Sequence, residues 1–138
     1  MTKLIVLDKS FSFYKKDSMW FTYLNEISNE ATFEVYAEEI NISLVEKILK
    51  FLTTEKYNLL ESKCRDLLLS LSNQFWEGAF QNPYFDFSGI IIRDFKIETD
   101  FQLLFQMSSD EDDFGSDYAN WIVNIKDFRI IGAFREQL

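Results

Sequence analysis

The chain has 138 residues, with no histidine and one cysteine, Cys64. Histidine is the side chain that most often serves as general base or metal ligand near neutral pH, so its absence disfavours the commonest catalytic sites. A single cysteine excludes an intrachain disulfide and suits a reducing compartment. Because no histidine is available to activate its thiol, Cys64 is predicted to be a small core residue rather than a nucleophile.

Glycine, proline and long apolar runs are also scarce. The four glycines form neither a phosphate-binding loop nor a dinucleotide fingerprint, and no Gly-x-Ser-x-Gly sequence marks a serine nucleophile. No run approaches the roughly 20 apolar residues of a membrane span. The apolar run at residues 4–7 is too short for a secretory signal. We therefore expect a cytoplasmic protein that is not an enzyme and carries no cofactor, no metal and no membrane-bound part.

Basic residues are few, since 14 Lys and Arg stand against 23 Asp and Glu and give a formal net charge of −9. The surplus is concentrated: residues 19–46 hold six acids and no base, and residues 94–117 hold eight acids and one base, Lys96. Nucleic-acid binding requires clustered Lys and Arg and is disfavoured. Acidic charge can simply maintain solubility, but its segregation favours a basic protein partner.

Aromatic residues, in contrast, are plentiful, at 17% of the chain and with fifteen Phe. The length and the apolar content of 47% are those of one globular domain, which we assign to residues 1–138. Most of the Phe side chains are expected in the core. Any rings left exposed would be suitable anchors for a partner.

The first part of the chain has the alternation of β-strands. Strands are predicted at residues 4–7, 11–14, 19–24 and 31–38, with polar turns between them. In the last of these, one face is apolar and the other is polar. The apolar face consists of Phe33, Val35 and Ala37, and the polar face of Thr32, Glu34, Tyr36 and Glu38. This pattern predicts a half-solvated antiparallel strand.

The period then changes from two to that of a helix. Ser43 and Glu46 have the spacing of a capping box, and an apolar stripe follows it to Leu52. Thr53 and Thr54 interrupt the stripe and can cap a second helix. The second stripe runs to about Trp76 and predicts a helical hairpin. Its members are Tyr57, Leu60, Cys64, Leu67, Leu68, Leu71 and Phe75.

Strands resume after a predicted loop at residues 78–89, which contains the only proline, Pro83. Further strands are predicted at residues 90–92, 95–98, 101–107, 119–125 and 128–134. Lys126 and Asp127 are predicted to form the tight turn of the last hairpin. The order of elements predicts an α+β fold, with a mostly antiparallel sheet and a two-helix hairpin packed on one face.

The densest polar cluster lies at residues 108–117. Its carboxylates would suit a calcium ion, but the spacing lacks two ligands of the helix–loop–helix calcium site, so a solvated acidic loop is the favoured interpretation. Together with the polar strand face, this loop is the predicted partner-binding surface. The candidate contact residues are Glu34, Tyr36, Glu38, Asp110, Glu111, Asp112, Asp113 and Asp117.

The succession of strands, helical hairpin and strands, the helical stripe at residues 44–75 and the ending from Asp110 to Gly132 resemble small bacterial domain families. Several of these families are similar to immunity proteins encoded beside polymorphic or contact-dependent toxins. The resemblance implies a cytoplasmic antitoxin that blocks one cognate toxin by direct binding. A toxin with a basic surface, such as a nuclease, is the expected partner. The alternative is a small-ligand or cation-binding domain that acts as a subunit of a larger assembly.

Overall fold

The computed structural model describes residues 1–6, 8–25, 30–75, 83–93, 99–108 and 119–137. Within these ranges the chain forms four strands, two helices and four further strands. They are β1 (Thr2–Val6), β2 (Lys9–Lys16), β3 (Met19–Tyr23), β4 (Thr32–Tyr36), α1 (Ile42–Phe51), α2 (Glu55–Phe75), β5 (Tyr84–Arg93), β6 (Phe101–Ser108), β7 (Ala119–Lys126) and β8 (Arg129–Gln137).

The eight described strands form one sheet, in which each strand pairs with its neighbours in the chain. Six pairings are antiparallel. The exception is β4 with β5, which run parallel and are joined through the two helices. A parallel pair needs such a crossover, because a short turn reverses the direction of the chain and can join only antiparallel strands. The prediction of an α+β fold with a mostly antiparallel sheet and helices between two sets of strands is confirmed.

The core lies between the helices and alternate residues of the strands. From the helices come Val45, Ile48, Leu49 and Leu68, and Cys64 is also fully buried among them. The strands contribute aromatic rings, among which Phe13 and Phe33 meet edge to face at 5.6 Å, and Phe85 and Trp121 at 5.3 Å. The alternation predicted for Phe33 and Val35 is confirmed. We call the opposite surface of the sheet the open face.

The prediction of a loop at residues 78–89 is wrong from Tyr84 onwards, because β5 begins there. Gly89 does not break this strand. A Cβ atom at Gly89 would lie 2.7 Å from the carbonyl oxygen of Thr32, so glycine permits the close approach of β4 to β5. The register shifts between Phe87 and Gly89, which marks a bulge at Ser88. The strand predicted at residues 95–98 lies outside the described residues.

Helix α1 begins earlier than the sequence predicted. Its N-cap is Asn41, whose side-chain oxygen accepts a hydrogen bond from the Leu44 amide at 3.1 Å. Ser43 lies inside the first turn, so the predicted capping box is wrong. The cap of α2 is as predicted, since the Thr54 hydroxyl accepts a hydrogen bond from the Tyr57 amide at 3.3 Å.

The last hairpin turns at Asp127 and Phe128 rather than at Lys126 and Asp127. Lys126 pairs with Arg129 across the turn, and the two residues between them have φ angles of 51° and 58°. Two successive positive φ values are typical of a type I′ turn, which glycine and asparagine adopt most easily. The turn therefore holds an aromatic residue in a backbone conformation that is costly for it.

The sheet is strongly coiled. Arg93 ends β5, whereas Glu136 lies opposite Asn120 near the other end of the sheet, three strands away. In a flat sheet the two residues would be roughly 20–25 Å apart. Their side chains nevertheless approach to 4.0 Å across the open face. Right-handed twist brings opposite corners of a sheet together in this way.

Candidate partner-binding surface

The predicted contact residues Glu34 and Tyr36 lie on the open face of β4, because Phe33 and Val35 occupy its buried face. Strand β3 pairs beside it, with Phe21 opposite Glu34 and Tyr23 opposite Thr32. Strand β2 adds Tyr14, which pairs with Phe21. We call these five residues, Tyr14, Phe21, Tyr23, Glu34 and Tyr36, the tyrosine face.

The tyrosine face exposes large aromatic side chains. Tyr14 is 48% exposed, Tyr23 58% and Tyr36 39%. The Phe21 ring lies between two of them, with centroids 6.0 Å from Tyr14 and 6.1 Å from Tyr23. Such rings carry a large apolar area on a stiff side chain with a polar tip, which is why they are enriched at protein interfaces.

Glu34 and Tyr36 are joined by a hydrogen bond in which the Tyr36 hydroxyl donates to Glu34 Oε2 at 3.0 Å. The pKa of Tyr36 is raised, first by partial burial and then by this bond, so the hydroxyl remains a donor at neutral pH. The Arg93 guanidinium lies 5.7 Å from the Tyr36 ring centroid. Among the described ion pairs none includes Glu34.

Glu38 lies beyond the end of β4 and not on the polar strand face where it was predicted. Its carboxylate, mostly exposed, is 3.4 Å from the Lys15 ammonium. Its backbone oxygen accepts a hydrogen bond from the indole of Trp20 at 3.2 Å. Glu38 therefore belongs to the rim of the sheet, with one cation already beside it.

The other predicted contacts, Asp110, Glu111, Asp112, Asp113 and Asp117, lie outside the described residues. Within the described ranges, no cluster of three or more Cys, Asp and Glu side chains is arranged to hold a metal ion.

The predicted core position of Cys64 is confirmed. The residue is fully buried, and burial followed by the nearby Glu61 carboxylate raises the pKa of the thiol to about 12. A thiol in this environment stays protonated at neutral pH and is a poor nucleophile. Glu61 itself accepts from the Tyr57 hydroxyl at 3.1 Å and pairs with Arg65 at 2.9 Å. Arg65 also donates to the Phe85 carbonyl at 2.8 Å, which fastens α2 to β5.

Sequence reasoning missed Tyr14, Phe21 and Tyr23 as members of the candidate surface. The signal was present in β3, where the alternation of Met19, Phe21 and Tyr23 against Trp20 and Thr22 assigns residues to two faces. What the sequence did not give was the pairing partner, and hence which side of β3 continues the polar face of β4.

No family model matches the chain, and neither the curated proteins nor the solved structures contain a match to it. Among the described helices, none combines the length and the apolar character needed to cross a bilayer. The candidate surface is therefore defined by its own geometry: three exposed tyrosines, one half-buried Phe and a carboxylate on one side of a coiled sheet.

Proposed function

We propose that the chain is an immunity protein that neutralises a cognate bacterial toxin by direct, stoichiometric binding. The observation that carries the proposal is the tyrosine face, where three exposed tyrosine rings share one face of the sheet with the Glu34 carboxylate. The net charge of −9 and the resemblance to toxin-immunity families suggest a partner with a basic surface, such as a nuclease.

In this proposal the aromatic rings supply the slow dissociation. Burial of exposed tyrosines removes apolar area from water at a small cost in side-chain entropy, and their hydroxyls remain hydrogen-bonded at the interface. Glu34 would accept a hydrogen bond from a Lys or Arg of the toxin. Because Tyr36 already holds this carboxylate in place, little ordering would be needed when the partner arrives.

Acidic charge would act mainly on the rate of association. Glu38 follows the end of β4 and contacts Lys15 and Trp20, which lie on the helix side of the sheet, so its charge would act on a partner from outside the tyrosine face. The acidic loop with Asp110, Glu111, Asp112, Asp113 and Asp117 is the second candidate contact. Charges outside the buried centre of an interface steer the encounter and add little to its lifetime.

The test uses the product of the gene adjacent to that of this chain as the candidate toxin. Both are co-expressed in a bacterial host, and growth protection and the dissociation constant are measured. The triple variant Tyr14→Ala, Tyr23→Ala, Tyr36→Ala should abolish protection and weaken binding by about a hundredfold or more. Tyr84→Ala is the matched control, since Tyr84 is also half exposed but lies at the far end of β5.

Two outcomes separate the parts of the proposal. If the wild-type chain neither binds the candidate toxin nor protects the host, the immunity function is wrong for that pair. If it protects and the triple variant protects equally well, the tyrosine face is not the contact surface. Charge reversal at Glu34 or at Asp112 then shows which acidic region shapes the salt dependence of the association rate.

A further inference from the structure

A basic cavity of about 610 Å³ lies between the end of α1, the start of α2 and the β7–β8 turn. Its lining includes Lys47, Lys50, Lys56 and Arg129, with the rings of Phe51 and Phe128. We call it the lysine pocket. The volume is that of sites for small organic ligands, which typically occupy several hundred Å³. The lysine pocket is formed by α1, α2 and the β7–β8 turn, whereas the tyrosine face is formed by β2, β3 and β4.

The charge of the lysine pocket is opposite to that of the chain. Four cations line it against one acid, Asp127, on a protein with a net charge of −9. Within the described part of the chain, none of the four cations is paired with a carboxylate. Lys47 and Lys50 are three residues apart on α1, a spacing at which like charges destabilise a helix. The helix dipole favours Lys50 in the last turn of α1, but it disfavours Lys56 in the first turn of α2, so helix stability does not explain why Lys56 lines the pocket.

The apolar wall is also unusual. Phe128 is 38% exposed and packs on Phe51 with ring centroids 4.4 Å apart. It occupies a turn position with φ 58°, where glycine or asparagine would be relaxed. The chain thus keeps an aromatic ring at the mouth of the pocket at a cost in backbone strain. Residues held in this way are concentrated at ligand sites.

Of the two helix ends at this place, the N-terminus of α2 favours an anion. The N-terminus of α2 opens beside Thr54, which lines the pocket. Amides at a helix N-terminus attract negative charge. The C-terminal carbonyls of α1, which would repel it, are occupied: the hydroxyls of Thr53 and Thr54 donate to the carbonyls of Lys50 and Phe51 at 2.7 and 2.6 Å.

We propose that the lysine pocket binds a small anion that carries a planar ring, with the chemistry of a nucleoside phosphate. The ring packs against Phe128, and the phosphate is bound by Lys47, Lys50, Lys56 and Arg129. Ammonium and guanidinium groups form charge-assisted hydrogen bonds to phosphate, and a flat ring provides the matching aromatic contact. A small anion fits better than a nucleic acid, because the acidic surface elsewhere repels a long polyanion. This site is independent of the proposed immunity function.

The test measures binding of three probes to the full chain by calorimetry: adenosine monophosphate, adenosine and ribose 5-phosphate. Adenosine monophosphate should bind, and the two fragments should bind at least about tenfold more weakly, since each lacks one of the two contacts. The double variant Lys47→Gln, Lys56→Gln should weaken binding of adenosine monophosphate by about tenfold or more.

The control is the double variant Lys3→Gln, Lys63→Gln, which changes the net charge equally at exposed lysines outside the pocket. It should bind adenosine monophosphate as the wild type does. All four lysines are exposed, so none of these variants should prevent folding. The proposal is overturned if adenosine monophosphate binds more weakly than about 1 mM. It is equally overturned if ribose 5-phosphate binds as tightly, or if the pocket and control variants behave alike.

Discussion

The open face of the sheet differs between its two halves. In β2–β4 the residues on this face include three exposed tyrosines, Tyr14, Tyr23 and Tyr36. In β5–β7 the corresponding residues Ile91, Gln102 and Ile122 are buried, although no described helix covers them. The contact between Arg93 and Glu136 shows that the sheet coils over the second half. The first half therefore exposes aromatic rings on this face, whereas the second half is buried around Ile91 and Ile122 and is exposed again at Tyr84.

The strongest way to test this comparison is to truncate one apolar residue in each half. Ile122→Ala should lower the free energy of unfolding by about 2–5 kcal/mol, because it leaves a cavity at a fully buried position. Tyr23→Ala should lower it by less than about 1 kcal/mol, because the ring already contacts water. Both values are read from urea denaturation. Equal costs would mean that the two halves are not buried differently.

The two halves are joined by the pairing of β4 with β5, and this pairing is tested at Gly89. In Gly89→Ala the new Cβ would meet the Thr32 carbonyl oxygen at 2.7 Å, and a paired backbone cannot move aside easily. We expect a loss of about 1–3 kcal/mol. Gly132→Ala is the matched control, since its Cβ would meet its nearest neighbour, Asn124 Nδ2, at 3.9 Å. Its cost should stay within about 0.5 kcal/mol. If the two variants melt at the same temperature, close packing of β4 on β5 is not what requires glycine.

The packing of the helical hairpin on the sheet predicts a pH dependence. Burial raises the pKa of Cys64 from 9.0 to about 12, so above pH 9 the thiol ionises in the unfolded chain before it does so in the folded one. The contribution of the buried thiol to the free energy of unfolding is fully present below pH 9 and is lost as the pH rises towards 12. The loss is about 1 kcal/mol between pH 9 and 10. Tyr57, whose pKa burial also raises, adds to the loss at higher pH.

The check is the pH profile of the free energy of unfolding for the wild type and for Cys64→Ala. The variant should be less stable at pH 7 because it loses buried volume, but its stability should fall less steeply between pH 9 and 10. Parallel profiles for the two proteins would contradict the assigned burial of the thiol.

The smallest expected effect concerns the start of the crossover. Asn41→Ala removes the side chain that caps α1 and should cost about 0.5–1 kcal/mol. Ser43→Ala, two residues later, should cost less than Asn41→Ala, since alanine suits a position within the helix. Thermal melting distinguishes the two variants. The opposite ranking would support Ser43 as the N-cap, as the sequence predicted.

Local patterns determined much of this protein. The period of two in residues 31–36, the helical stripes after residue 43 and the interruption at Thr53 and Thr54 depend on neighbours along the chain, so the elements were predictable. The burial of Cys64 followed from its place in a stripe. The charge and the absent histidine likewise belong to the sequence alone. These features fixed the fold class and two of the residues on the candidate surface, Glu34 and Tyr36.

Only the tertiary structure decided which residues meet. Tyr14, Phe21 and Tyr23 join Glu34 and Tyr36 because strand register is set by pairing, which no single strand encodes. The lysine pocket combines two helix ends with a turn more than 70 residues away, whereas the sequence pattern predicts Phe128 as a strand residue. The burial of Ile122 on a face without helices depends on how far the whole sheet coils. Twist accumulates over many strands, and a local pattern does not carry it.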